Sequence, residues 1–200
     1  MAQTTSGRVN QKTRTRNAIV RAAAELSRGG GEVTMPEVAR AALVSEATAY
    51  RYFPDLASLL REAIADQIPS PEEALAPVAD SVDPVVRIAA ATEFLLRHVL
   101  ARQGVVRAMI AATIVHPEQA QARPGMRFGL IDYALAPLAG TLGGRDPQAL
   151  TQLKNGLAVV VSAEALFSLT DLHGMAPEAA IASLVHTAST LTRATLNAQA

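Results

Sequence analysis

Cysteine and tryptophan are both absent from this 200-residue chain, and only 4% of its residues are aromatic. Without cysteine there is no disulfide framework, thiolate metal site or cysteine nucleophile. Long hydrophobic runs are missing as well. The longest near-apolar stretch, Leu157 to Leu169, is interrupted by Ser162, Glu164 and Ser168 and is short of the roughly 20 residues that a membrane span needs. The opening residues are polar and have no apolar stretch of the kind that marks a secretory signal. Catalytic signatures are equally scarce. His98, His116, His173 and His186 lie in four separate segments, with no H-x-x-x-H pair, G-x-S-x-G elbow, P-loop or G-x-G-x-x-G. These absences lead us to expect a cytoplasmic protein that does not contact membrane, uses no metal or other cofactor, and is not an enzyme.

Half of the residues are hydrophobic, and eighteen basic side chains balance eighteen acidic ones, so the chain folds around a real core. Abundant alanine and few aromatics favour closely packed helices over strands, and no period-2 stretch is bounded by hairpin turns. The fold class expected is all-α.

Charge is distributed unevenly. Residues 1–61 hold nine basic groups against five acids, a net +4, which leaves −4 for the remainder. No acid precedes Glu25. The N-terminus therefore reads as a flexible basic arm over 1–13 that runs into a basic helix, either a phosphate-facing surface or a solvated tail.

Four helical segments follow. Ala18, Ile19, Ala22, Ala23 and Leu26 share one face of a first helix over Thr15–Ser27, which Gly29-Gly30-Gly31 stops. Thr34 and Glu37 form a capping box with Pro36 in the first turn, opening a short helix from Met35 to Ala41. After Ala42-Leu43-Val44, Ser45 caps a second short helix to Tyr52 or Phe53. Pro54 ends it, and Asp55 caps a fourth whose stripe is Leu56, Leu59, Leu60, Ala63 and Ile64.

Two short helices around a three-residue turn make a helix-turn-helix. The frame Arg16-x-x-Ile19-x-x-Ala22-Ala23-x-x-Leu26, Thr34-x-x-x-Val38-Ala39-x-x-Ala42-x-Val44-Ser45, Thr48-x-Tyr50-x-Tyr52-Phe53 and Leu59-Leu60 resembles the tetracycline-repressor (TetR) family of transcription regulators over residues 14–62. The resemblance implies a DNA-binding domain at 14–60 and a helical effector-binding and dimerisation domain at 61–200. It also implies that Ser45 to Tyr52 enter the major groove of a double-stranded DNA operator. Ala49 and Phe53 would then face the core. Ala47, Thr48 and Arg51 would point to base edges, while Tyr50, Tyr52, Thr34, Ser45 and Arg14 would meet the backbone or the groove edge. Arginine suits guanine O6 and N7, and the methyls of Ala and Thr suit thymine.

Three positions depart from the family pattern. Leu43 occupies the turn position where glycine is usual, so either the turn adjusts or it carries strain. Asp55-Leu56-Ala57 offers no lysine to phosphate, which leaves only main-chain N–H groups there. Glu46 either accepts from a cytosine amino group or faces solvent.

Residues 66–84 are rich in proline and acid and read as a connection. Helices are expected over Pro84–Gln103, Gly104–Val115, Met126–Ala139, Pro147–Leu172 and Pro177–Asn197, with Glu93 and Arg97 as a surface pair and His116 capping a helix end. The penultimate helix is apolar nearly all round, so it is either buried within one subunit or covered by a second copy. The resemblance implies the latter, a homodimer through the last two helices, and the interface expected is Leu157, Val161, Leu184, Ala188 and Leu191. It also implies a cavity for a small apolar or amphipathic effector, for which Phe94, His98, Met109, Thr113, Met126 and Tyr133 are the expected lining. The function implied is a ligand-responsive repressor. The alternatives are an activator of the same fold and a helical small-molecule-binding protein that does not read DNA.

Overall fold

The computed structural model describes residues 3–29, 33–115, 125–138, 140 and 142–198. Among these the regular elements are all helical, as expected: α1 (Gln3–Arg28), α2 (Met35–Ala41), α3 (Glu46–Tyr52), α4 (Leu56–Ile64), α5 (Pro71–Ala74), α6 (Pro84–Ala101), α7 (Gln103–Val115), α8 (Met126–Ala134), α9 (Leu142–Arg145), α10 (Pro147–Val160), α11 (Ala163–Phe167) and α12 (Pro177–Asn197). No single helix among the described residues is long and apolar enough to cross a membrane. His116 and the end of the helix expected to reach Ala139 lie outside the described residues.

The chain divides into two compact units, Met1–Ile68 with Ala101–Pro124, and Pro69–Leu100 with Gly125–Ala200. This moves the boundary expected at residue 61, because α7 belongs with the N-terminal helices. Val105 (1% exposed) and Met109 (3%) share one core with Ile19, Val38, Ala49, Phe53, Leu59 and Leu60, and burying that face of α7 outweighs its distance along the chain. The arm expected to be flexible over 1–13 is also revised, since α1 is helical from Gln3. No proline lies in that stretch, and Gly7 alone does not stop a helix.

Capping in the first unit follows the sequence closely. Thr34 Oγ1 accepts from Glu37 N (3.4 Å) while the Glu37 carboxylate accepts from Thr34 N (3.1 Å), the reciprocal box. Asp55 accepts from Ser58 N at 2.7 Å to start α4. The turn after α2 is a Schellman motif: Val44 N–H donates to Ala39 O (2.9 Å) and Leu43 N–H to Arg40 O (3.1 Å). That pattern needs a left-handed residue at its centre, and Leu43 supplies it with φ 57°. Of the two alternatives for this turn, the glycine-type geometry is kept and leucine carries the strain.

In the second unit α5 and α8 pack together, as do α10 and α12. The Ser70–Glu73 capping box opens α5. Buried Arg87 of α6 donates to five main-chain carbonyls, those of Ala134 (3.1 Å), Tyr133 (2.9 Å), Val78 (3.4 Å), Ala79 (3.4 Å) and Ser81 (3.3 Å). The helix expected over Pro147–Leu172 is broken. Ser162 Oγ accepts from Ala165 N (3.1 Å) as the cap of α11 and donates to Val159 O (2.7 Å); a π-helical turn then covers Ser168–Leu172. A serine that interrupts the apolar pattern in sequence is the residue that ends one helix and starts the next.

Burial corrects the expected dimer contacts. Leu157, Val161 and Ala188 are 0% exposed and Leu184 7% within the single chain, in the part of the unit where α10 packs on α12. Atoms already enclosed have no surface to offer a second copy. Of the five, Leu191 remains outward, 37% exposed, and Val159 of α10 is 70% exposed.

Candidate nucleic-acid interface

The exposed face of α3 is defined by what the helix must bury. Ala49 is 0% exposed and Phe53 3%, and with 100° per residue the opposite side carries Ala47 and Arg51, flanked by Tyr50. All three are exposed. Ser45 caps the helix, its Oγ accepting from Thr48 N at 3.2 Å and lying 2.9 Å from Thr48 Oγ1. Both hydroxyls are thereby held in place, and the Thr48 side chain is half-buried. Glu46 is exposed in the first turn. The guanidinium of Arg51 lies 5.7 Å from the centroid of the Tyr52 ring, a cation–π contact on an exposed arginine.

Two other elements brace this helix. Arg16 of α1 forms a two-armed ion pair with Glu62 of α4, and its guanidinium sits 4.9 Å over the Phe53 ring. The hydrogen bond to Glu62 raises the Arg16 pKa above its ordinary value, while partial desolvation opposes the rise. The C-terminal end of α3 is thus tied to both α1 and α4. On α1, Arg14, Arg21 and Arg28 are exposed and spaced by seven residues, which puts them on one face and makes a basic stripe. Of the three, Arg14 is the one expected at DNA, within a helix expected to be basic; the seven-residue spacing places Arg21 and Arg28 beside it. Thr34, also expected at DNA, spends its side chain on the α2 cap.

The six expected effector residues fall in both units. Met109 packs in the core of the first, and Thr113 Oγ1 donates to Met109 O at 2.9 Å, so these two serve packing and an internal hydrogen bond. In the second unit Phe94 and His98 come together as stacked rings 6.2 Å apart. Tyr133 lies under Arg87, with 5.0 Å from guanidinium to ring centroid, and Met126 opens α8. A groove of about 790 Å3 exists in the first unit, and none of the six lines it. Its walls include Val33, Thr34, Leu56, Gln103, Arg107 and Ala111. The signal in sequence was the stripe Gly104, Ala108, Ala111, Ala112 and Val115, which has helical spacing and small side chains.

The family model for bacterial regulatory proteins of the tetR family matches residues 19–63, which run from the buried face of α1 to the end of α4. The chain carries a TetR-family DNA-binding domain. Outside that segment the likeness is one of fold. The crystal structure of a TetR transcriptional regulator from Rhodococcus sp. RHA1 is similar with a TM-score of 0.55 and 23% identity, over 90% of this chain and 96% of that one. No curated protein matches the sequence. What the geometry provides is a small capped helix, braced from behind, that presents side chains outward.

Proposed function

We propose that this TetR-type protein is a cytoplasmic, dimeric repressor that binds a near-palindromic operator and is released by a small apolar or amphipathic effector. The observation that carries the DNA reading is the outward face of α3, where Ala47, Tyr50 and Arg51 are exposed above a fully buried Ala49. Arg51 reads guanine by two hydrogen bonds, Tyr50 meets a phosphate, and the basic stripe of α1 adds sequence-independent attraction. The experiment is selection of duplexes from random DNA, followed by titration at two salt concentrations. Arg51→Ala is expected to lose about 1–3 kcal/mol per half-site on the selected duplex and little on scrambled DNA, whereas Tyr50→Phe weakens both alike. Equal losses for Arg51→Ala on both duplexes would remove it from base reading.

For the effector, the groove of the first unit supports a site on α4 and α7, because its volume of about 790 Å3 suits a small ligand. Its lining includes Thr34, which caps α2. An occupant that changes this cap favours one arrangement of the reader over another, and DNA affinity falls by the ligand's differential affinity for the two arrangements. Ala111→Trp, which fills the groove, is expected to abolish uptake of an apolar anionic dye such as anilinonaphthalene sulfonate while DNA binding persists. Undiminished dye binding would place the effector elsewhere.

A further inference from the structure

Leu43 is 93% exposed and has φ 57°, the one positive-φ non-glycine residue among those described. A leucine in this region is strained, glycine would occupy it freely, and an exposed isobutyl group gains nothing from the core. Strain of this kind in a turn fixed by two main-chain hydrogen bonds points to a use for the side chain. Leu43 stands two residues before Ser45, so its Cα lies within about 8 Å of the cap of α3.

The surroundings indicate what the side chain meets. The hydroxyls of Ser45 and Thr48 lie 2.9 Å apart and Ser45 Oγ accepts from Thr48 N at 3.2 Å, so one O–H of the pair is used within the cap and the Thr48 methyl is held at this edge of α3. Ala47 adds another exposed methyl. Exposed Arg40 and Glu46 flank Leu43, and a single apolar side chain between charges is far too small a surface for a stable protein interface. It matches a target of similar size, the C5 methyl of thymine in the major groove.

We propose that Leu43 is a specificity-determining residue of the DNA interface, packing on the C5 methyl of one thymine in each half-site. The inference rests on the DNA-binding reading above. Its test uses the full-length protein and a selected duplex in which each thymine is replaced in turn by uracil, which keeps base pairing and removes only the methyl. The wild-type protein is expected to lose about fourfold in affinity at one thymine per half-site, the change set by one buried methyl group. Leu43→Gly and Leu43→Asn, both of which tolerate the turn, should bind the thymine and uracil forms of that position equally. If wild type and both variants respond identically to uracil at every position, or no thymine methyl matters, the proposal is overturned while DNA reading stands. If selection yields no preferred duplex, the DNA reading itself fails and takes this proposal with it.

Discussion

Leu43 shows how one residue carries a cost through a hydrogen-bonded turn. The Schellman bonds of Val44 and Leu43 hold the left-handed turn in place, and the β-carbon there costs roughly 1–2 kcal/mol. Glycine relieves that cost but gives back roughly 0.5–1 kcal/mol through its freer unfolded chain. Leu43→Gly is therefore expected to stabilise the protein by about 0.5–1 kcal/mol, measured by chemical denaturation of the purified variants; a destabilised variant would mean that the leucine packs against something in solution. Residue-level chemistry was the most legible part of this sequence. Thr34, Ser45 and Asp55 cap where their side-chain oxygens and following residues require, and Ala49 and Phe53 face inward because α3 has only one apolar side. The outcome at Leu43 was not decidable from sequence, since adjusting the turn and straining the leucine differ only by main-chain torsion.

At the scale of elements, the helices that sequence placed well are those bounded by strong stop signals. The Pro177 start and Asn197 end of α12 are as expected. The break at Ser162 was hidden because a serine inside an apolar run reads equally as a helix member or as a cap, and which one holds depends on whether the preceding carbonyls find other partners. Burial of Leu157, Val161, Leu184 and Ala188 within the chain was hidden for a related reason: periodicity says that a face is covered, not by what. Arg87 was also unannounced. Its charge is met by the Tyr133 ring and by main-chain carbonyls, two of them at the C-terminal end of α8, where the helix dipole is negative. Arg87→Met is expected to cost on the order of 3 kcal/mol by stranding those carbonyls, and Arg87→Lys should recover only part, because an ammonium lacks the planar fork. Thermal melts of the three proteins would check this, and an unchanged Arg87→Met melting temperature would count against the clamp.

For the whole molecule, the joining of α7 to the N-terminal unit was illegible because the partner of an amphipathic helix is chosen by packing across the chain rather than by its own pattern. Assembly is the corresponding question between chains. With the buried residues excluded, the outward large apolar side chains of α10 and α12 are Val159 and Leu191. The dimer proposed above is expected to weaken in Val159→Glu and Leu191→Glu, which place a charge in the interface, with the helical signal unchanged. Leu184→Glu should instead unfold the second unit, since that side chain is 7% exposed in a single chain. Light scattering separates these outcomes, and a monomeric wild-type protein would remove the dimer from the proposal.

The acceptors around Arg87 have a consequence for how this sequence can drift. All five belong to the main chain, which every amino acid provides, so Val78, Ala79, Ser81, Tyr133 and Ala134 can be exchanged without withdrawing an oxygen from the guanidinium. Arg87 itself has no such latitude. Descendants of this chain should therefore keep the arginine while Val78, Ala79, Ser81 and Ala134 vary independently of it, whereas Tyr133, whose ring lies 5.0 Å from the guanidinium, is tied to it through its side chain as well.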